Sequence, residues 1–97
     1  MELKDTVEMM GSADYKERFK AEYYQTKIRY EKLKAFNTKI EVAKILAYEE
    51  LDETANCKEV EAPEHDCPDH LLRKQQKAMG DYLHILEVRA VIEGIEL

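Results

Sequence analysis

Cys57, His65, Cys67 and His70 follow one another as C-x7-H-x-C-x2-H, all residue types that zinc accepts. The paired C-x2-C arrangement that usually builds a tetrahedral site is missing. The group therefore reads as a polar loop that happens to hold two thiols and two imidazoles. Cys67 and His70 also fall near the start of a helix, where a thiolate gains from the backbone dipole. A nucleophile–base pair needs an orienting group and oxyanion donors besides, and none is legible. His84, between Leu83 and Ile85, reads as a packed or interfacial histidine, and Glu49 and Glu50 as a solvated face. No G-x-x-x-x-G-K phosphate loop occurs. The expectation is no catalytic residue, no metal, no cofactor and no enzyme.

The second chemical candidate is the stretch SADYKERFKAEYYQTKIRYEKLKAF, residues 12–36. It contains four of the six tyrosines and both phenylalanines, interleaved with lysine and arginine. Rings to stack on and cations for phosphates are what a nucleotide needs. The same residues also describe tyrosines bordering a core with lysines snorkelling outward over it. Residue types alone leave both open.

The elements that must position these residues are helices. Leu3, Val7 and Met10 predict a short helix over 1–10, closed by Gly11, with Ser12 as cap of the next. Over 12–52, Tyr15, Phe19, Tyr23, Thr26, Tyr30, Leu33 and Ile40 fall within one arc at 100° per residue. Lys16, Lys20, Lys27 and Lys34 run beside its tyrosine edge; Arg18, Arg29 and Phe36 lie along the other. Asn37-Thr38 is a point for a kink or cap. A weaker apolar strip runs through Ala21, Tyr24, Ile28 and Ala35. Residues 54–67, acidic and holding Pro63, predict a loop. Pro68 suits the first turn of a last helix over 68–93, with Asp66 or Cys67 near its cap. There Leu72, Met79, Leu83, Leu86 and Ala90 form one apolar face, with Ile85, Val88 and Ile92 as a second. The fold class is all-α: a single helical domain of one short N-terminal helix and two long antiparallel helices. Two apolar strips per helix ask for more neighbours than one hairpin supplies, which predicts a helical homo-oligomer.

The formal charge of −6 argues against a DNA or RNA polymer as partner. It is unevenly placed: nine basic against four acidic residues over 16–44, and one against nine over 48–70. A basic helix on an acidic protein suits a small anion, or its own acidic faces. No run of about 20 apolar residues is present, so no membrane partner is expected, and the acidic start MELKDTVEMM is unlike a signal peptide.

The order of residues adds a resemblance. Tyr15-x-x-Arg18-Phe19-x-x-Glu22, then Tyr30-x-x-Leu33-x-x-Phe36, and later Leu71, Leu72, Gln75, Ala78, Met79, Tyr82, Ile85, Leu86 and Arg89, resemble the shared text of the phage anti-CBASS cyclic-oligonucleotide sponges. Members are small helical proteins that form hexamers and sequester cyclic nucleotide signals of bacterial immunity. The resemblance implies non-enzymatic binding of ligands such as cyclic GMP–AMP, in the cytoplasm of the infected host, by a homohexamer. It implies a cyclic dinucleotide site between protomers at Tyr15, Arg18, Lys27, Arg29 and Tyr30, with Arg29 standing where the family has lysine. A cyclic trinucleotide site would use Arg73, Gln76 and Lys77. The competing expectation is a phage structural or assembly factor of the same fold with no nucleotide ligand.

Overall fold

The computed structural model describes residues 1–48 and 61–97. Glu49, Glu50, Cys57 and the sequence-predicted junction between long helix and acidic loop lie outside the described residues. Among the described residues every regular element is helical. A 3-10 turn, Leu3–Thr6, runs into α1, Val7–Met10; α2 spans Tyr15–Tyr48 and α3 Asp69–Glu93. The all-α fold with a short N-terminal helix and two long ones is the observed one.

Local chemistry sets the ends. Asp14, not Ser12, caps α2: its Oδ1 accepts from the Lys16 N–H at 3.0 Å, while the Ser12 hydroxyl accepts from the Asp14 N–H. Asp14 sits one residue before the first helical position, where a carboxylate reaches the second free N–H. α2 passes Asn37-Thr38 without a break. The Asn37 amide is engaged across the helix pair and so does not compete with its own backbone. The residue flanking α3 on its N-terminal side is Pro68 itself, with no side-chain cap from Asp66 or Cys67. At the other end Gly94 adopts φ 70°, and the Ile95 N–H returns to the Ala90 carbonyl at 2.8 Å. This left-handed turn folds Ile95 back into the core, the hydrophobic contact such ends favour.

The core lies between α2 and α3. Phe19, Tyr23, Leu83, Leu86, Ala90 and Ile95 are buried together, with Tyr24 and Tyr30 packed against them. Ile40 is buried further along α2. The N-terminal part of the second strip of α2 finds its neighbour within the chain, while Ala35 is exposed. Ala21 is buried, and Gln25 beside it donates to the fully buried Thr6 hydroxyl at 2.9 Å and reaches Met10. The second strip of α3 has no such cover: Ile85, Val88 and Ile92 are exposed.

Polar links across the helix pair fix its register. Tyr15 donates to Glu93 at 2.8 Å, Tyr82 to Glu22, and Tyr23 to Glu87 at 3.0 Å. Asn37 donates to the Leu72 carbonyl at 3.2 Å and the Gln76 side chain at 2.9 Å. From Tyr15–Glu93 at one end to Asn37–Gln76 at the other, the seam rises along α2 as it falls along α3, an antiparallel hairpin. The Asn37 Oδ1 is buried with no partner among the described residues. Asn37→Leu removes this orphan acceptor and should leave stability within about 1 kcal/mol. Asn37→Asp instead buries a charge without a donor and should cost about 3 kcal/mol at neutral pH. Burial raises the introduced carboxyl's pKa, so the deficit should shrink as pH falls through that value. Urea titrations of both variants at neutral and acidic pH check this, and an N37D protein as stable as wild type at neutral pH would contradict it.

Candidate ligand-binding site

The register that pairs Asn37 with Gln76 opens a groove of ≈ 910 Å³ along one side of the seam. Tyr30, Lys34 and Lys44 line it from α2, and Arg73, Gln76 and Lys77 from α3, with Asn37 between them. Gly80 faces the Tyr30 ring, where a β-carbon would come within 3.3 Å of it. The missing side chain thus lets the ring lie against α3. Glu41, Asp69 and Asp81 also stand on the lining. Lys77 pairs with Asp81 at 2.8 Å, which raises the lysine pKa and keeps it charged. Lys44 pairs with Asp69, and this bond, more than the one from His65, holds the carboxyl below its usual range. Four cations, one ring and two amides on one concave wall form a set able to receive phosphates and a base.

A smaller hollow of ≈ 250 Å³ lies next along the seam, sharing Tyr30 and Gly80 and adding Tyr23, Lys27, His84 and Glu87. The Lys27 ammonium stands 5.9 Å from the centre of the Tyr23 ring. Burial first, and the bond to Glu87 second, push the Tyr23 phenol up to about 12. It stays a neutral donor throughout the physiological range. His84 is exposed on the rim of this hollow rather than packed in the core.

The residues singled out from sequence are thereby divided. Arg73, Gln76 and Lys77 share the large groove with Tyr30, and Lys27 shares the small one. Tyr15 and Arg18 stand in the first turn of α2, beyond both hollows; the Arg18 Nη1 donates to the Ser12 carbonyl at 2.8 Å. Arg29 is exposed and lines neither. Fourteen residues of helix set Tyr15 and Arg29 about 21 Å apart along the axis. One chain does not bring them onto one small ligand. The sequence reading missed Lys44 and Asp69 as groove residues and took Asn37 for a kink point. The spacing Lys34, Asn37, Glu41, Lys44 is itself helical, and following that edge past Asn37 finds Lys44; Asp69, on the other helix, gives no such signal.

The Sequestin family model matches the chain over residues 13–57 and 48–92, which together span both long helices. The chain belongs to the Sequestin family. Sequestin is the anti-CBASS cyclic-nucleotide sponge family, the one that the order of residues around Tyr15–Phe36 and Leu71–Arg89 resembles. Membership supports a cyclic-nucleotide-sequestering role in general, and the family is one of binders, not enzymes. No curated protein and no solved structure matches the chain.

The Sequestin matches cross the acidic stretch, where one clamp near the groove answers the question of the histidines. His65 meets the Pro63 carbonyl through Nδ1 at 2.8 Å and the Asp69 carboxylate through Nε2 at 2.6 Å. Both partners are acceptors, so only the doubly protonated ring satisfies both bonds. Its edge also meets Phe36, centroids 5.6 Å apart. This histidine ties the chain ahead of α3 to the first residue of that helix. Among the described residues no three His, Cys, Asp or Glu side chains converge as an ion site, and Cys57 lies outside them.

The Pro63 bond, chiefly, and the Asp69 bond raise the His65 pKa. A folded-state value above the unfolded one adds stability that is complete below about pH 6.5. That increment is lost as pH rises through the elevated value. Urea midpoints across pH 5–9 should show wild type ahead of His65→Gln on the acid side, with the gap closing as pH rises. A gap that widens with pH would contradict the clamp.

Proposed function

We propose that this Sequestin binds cyclic di- or trinucleotides intact and withholds them from their receptors, so blunting CBASS defence in the cytoplasm of an infected bacterium. The observation that carries this reading is the groove between α2 and α3. There the Tyr30 ring, the Asn37 and Gln76 amides and the cations Lys34, Lys44, Arg73 and Lys77 stand together in a chain of a cyclic-nucleotide-sequestering family. Arg73, Gln76 and Lys77 are assigned to a cyclic trinucleotide, Arg73 supplying a planar fork for phosphate.

Tyr15, Arg18, Lys27, Arg29 and Tyr30 are assigned to a cyclic dinucleotide. The separation of Tyr15 from Arg29 along α2 exceeds the span of such a ligand, so the site takes Tyr15 from one protomer and Arg29 from another. The exposed Ile85, Val88 and Ile92 strip supports assembly of the homo-oligomer, a hexamer by family resemblance. A sponge must outcompete a receptor, which sets the scale at nanomolar affinity, about −12 kcal/mol. Charge-assisted phosphate contacts and stacked rings preorganised across an interface are the interactions able to reach it.

Calorimetric titration with 3′,3′-cyclic GMP–AMP and with a cyclic trinucleotide tests the reading, the ligand being recovered afterwards by denaturing the protein. Tight binding and unaltered ligand are expected. Arg29→Ala should weaken the dinucleotide, and Arg73→Ala the trinucleotide, by about 2 kcal/mol each, roughly thirtyfold. The oligomer should stay intact in both. Two blank titrations would instead favour a helical assembly factor, and a ligand returned as linear product would make the protein a nuclease.

A further inference from the structure

Tyr15 is 46% exposed, yet its phenol is fully engaged. The hydroxyl donates to Glu93 Oε1 and accepts from Arg89 Nη2, each at 2.8 Å. Arg89 Nε in turn donates to Glu93 Oε2 at 3.2 Å. The Arg89 guanidinium lies 5.1 Å from the centre of the Phe19 ring, and Phe19 meets the Tyr15 ring edge-on with centroids 6.2 Å apart. Four side chains thus close a circuit, two from one turn of α2 and two from one turn of α3. Each touches its neighbour on its own helix and at least one on the other, Tyr15 and Arg89 touching two.

An exposed tyrosine ordinarily samples several rotamers, and a ligand stacking on it must select one. Here the ring is pinned at its far end, through the hydroxyl, while its faces are left to pack or stack. A phenol offers one proton and can accept others, and Glu93 and Arg89 use both capacities. Arg89 reaches the hydroxyl with a planar fork already oriented by Glu93 and laid on Phe19. A lysine ammonium lacks both that plane and the second bond. The acidic partner balances the arginine, so the pair adds little net charge to the neighbourhood. That suits a holding device better than an anion-catching one.

We infer that Arg89 and Glu93 are positioning residues for Tyr15, presetting its ring for the base of a cyclic dinucleotide. The inference rests on the assignment of Tyr15 to that ligand, and the experiment separates the two. Affinity for 3′,3′-cyclic GMP–AMP is measured calorimetrically for wild type, Tyr15→Ala, Tyr15→Phe, Arg89→Lys and the Tyr15→Phe/Arg89→Lys double variant, with helical content checked by circular dichroism. Tyr15→Ala tests the assignment alone: unchanged affinity removes Tyr15 from the site and the inference with it. With that loss seen, Tyr15→Phe and Arg89→Lys should each weaken binding about five- to tenfold, the scale of one side chain ordered on binding. The double variant should be no weaker than Tyr15→Phe alone, because losing the hydroxyl already cuts the link to Arg89. Full affinity in R89K or Y15F would overturn the positioning role while leaving Tyr15 in the site. Additive losses would overturn it too, making Arg89 a direct phosphate contact.

Discussion

The seam between α2 and α3 is held in one register by phenols donating to carboxylates. A hairpin whose apolar cluster contains Phe19, Tyr23, Leu83, Leu86, Ala90 and Ile95 has a small core. Apolar packing of that size is tolerant of sliding by a turn, since leucine meets leucine almost as well one step along. A hydrogen bond between two particular side chains has no such tolerance. Tyr15 to Glu93, Tyr82 to Glu22 and Tyr23 to Glu87 each survive in one alignment only. Asn37 adds a fourth point of definition, and leaves one acceptor unpaired to do so. Each such bond contributes less to the depth of the energy minimum than to its uniqueness.

That register decides where the chemistry falls. It sets Gly80 against Tyr30 and so lets the ring approach where a β-carbon would come within 3.3 Å of it. It brings Arg73 and Lys77 of α3 to the wall that carries Lys34 and Lys44 of α2. Shifting one helix by a turn would pair Lys34 with other neighbours and disperse the cations. Carboxylates on the same wall, Asp69 and Asp81, tie down Lys44 and Lys77 through hydrogen bonds, which lower the Asp69 pKa and raise that of Lys77. The clamp of His65 on Pro63 and Asp69 fixes the chain at the same end.

What was legible in the sequence follows from which interactions are local. The arc through Phe19, Tyr23, Tyr30 and Ile40 shows in the text because helical spacing alone puts those residues on one side. The family is legible for a similar reason, since ordered tokens such as Tyr15-x-x-Arg18 survive without any knowledge of what they touch. The cap shifted by two residues from Ser12 to Asp14 because two good cap residues stand close together and spacing does not choose between them. Ile95 lies past the last helical residue, so periodicity does not reach it; the left-handed turn at Gly94 delivers it to the core. The second strip of α2 was read as a call for another protomer, but part of it is met by the chain's own first residues through Thr6 and Gln25. The groove was invisible for a stricter reason. Its two walls are separated by the acidic stretch, and only the pairing register decides which residues face one another.

The hairpin's links also differ in how far along the chain they reach. Asn37 and Gln76 are 39 residues apart, whereas Tyr15 and Glu93 are 78 apart. Closing a longer loop carries a larger entropic cost, and contacts near a turn form before those at the open end of a hairpin. The wall that holds Arg73 and Lys77 is therefore assembled early, by the half of the seam nearest the turn. The tyrosine at the start of α2 acquires its fixed orientation only when the last turn of α3 arrives. A chain that has zipped part of the way displays its cations but not its ordered ring. The Tyr15–Glu93 bond thus marks completion of the fold, and a nascent or frayed molecule lacks the orientation that this bond gives the ring.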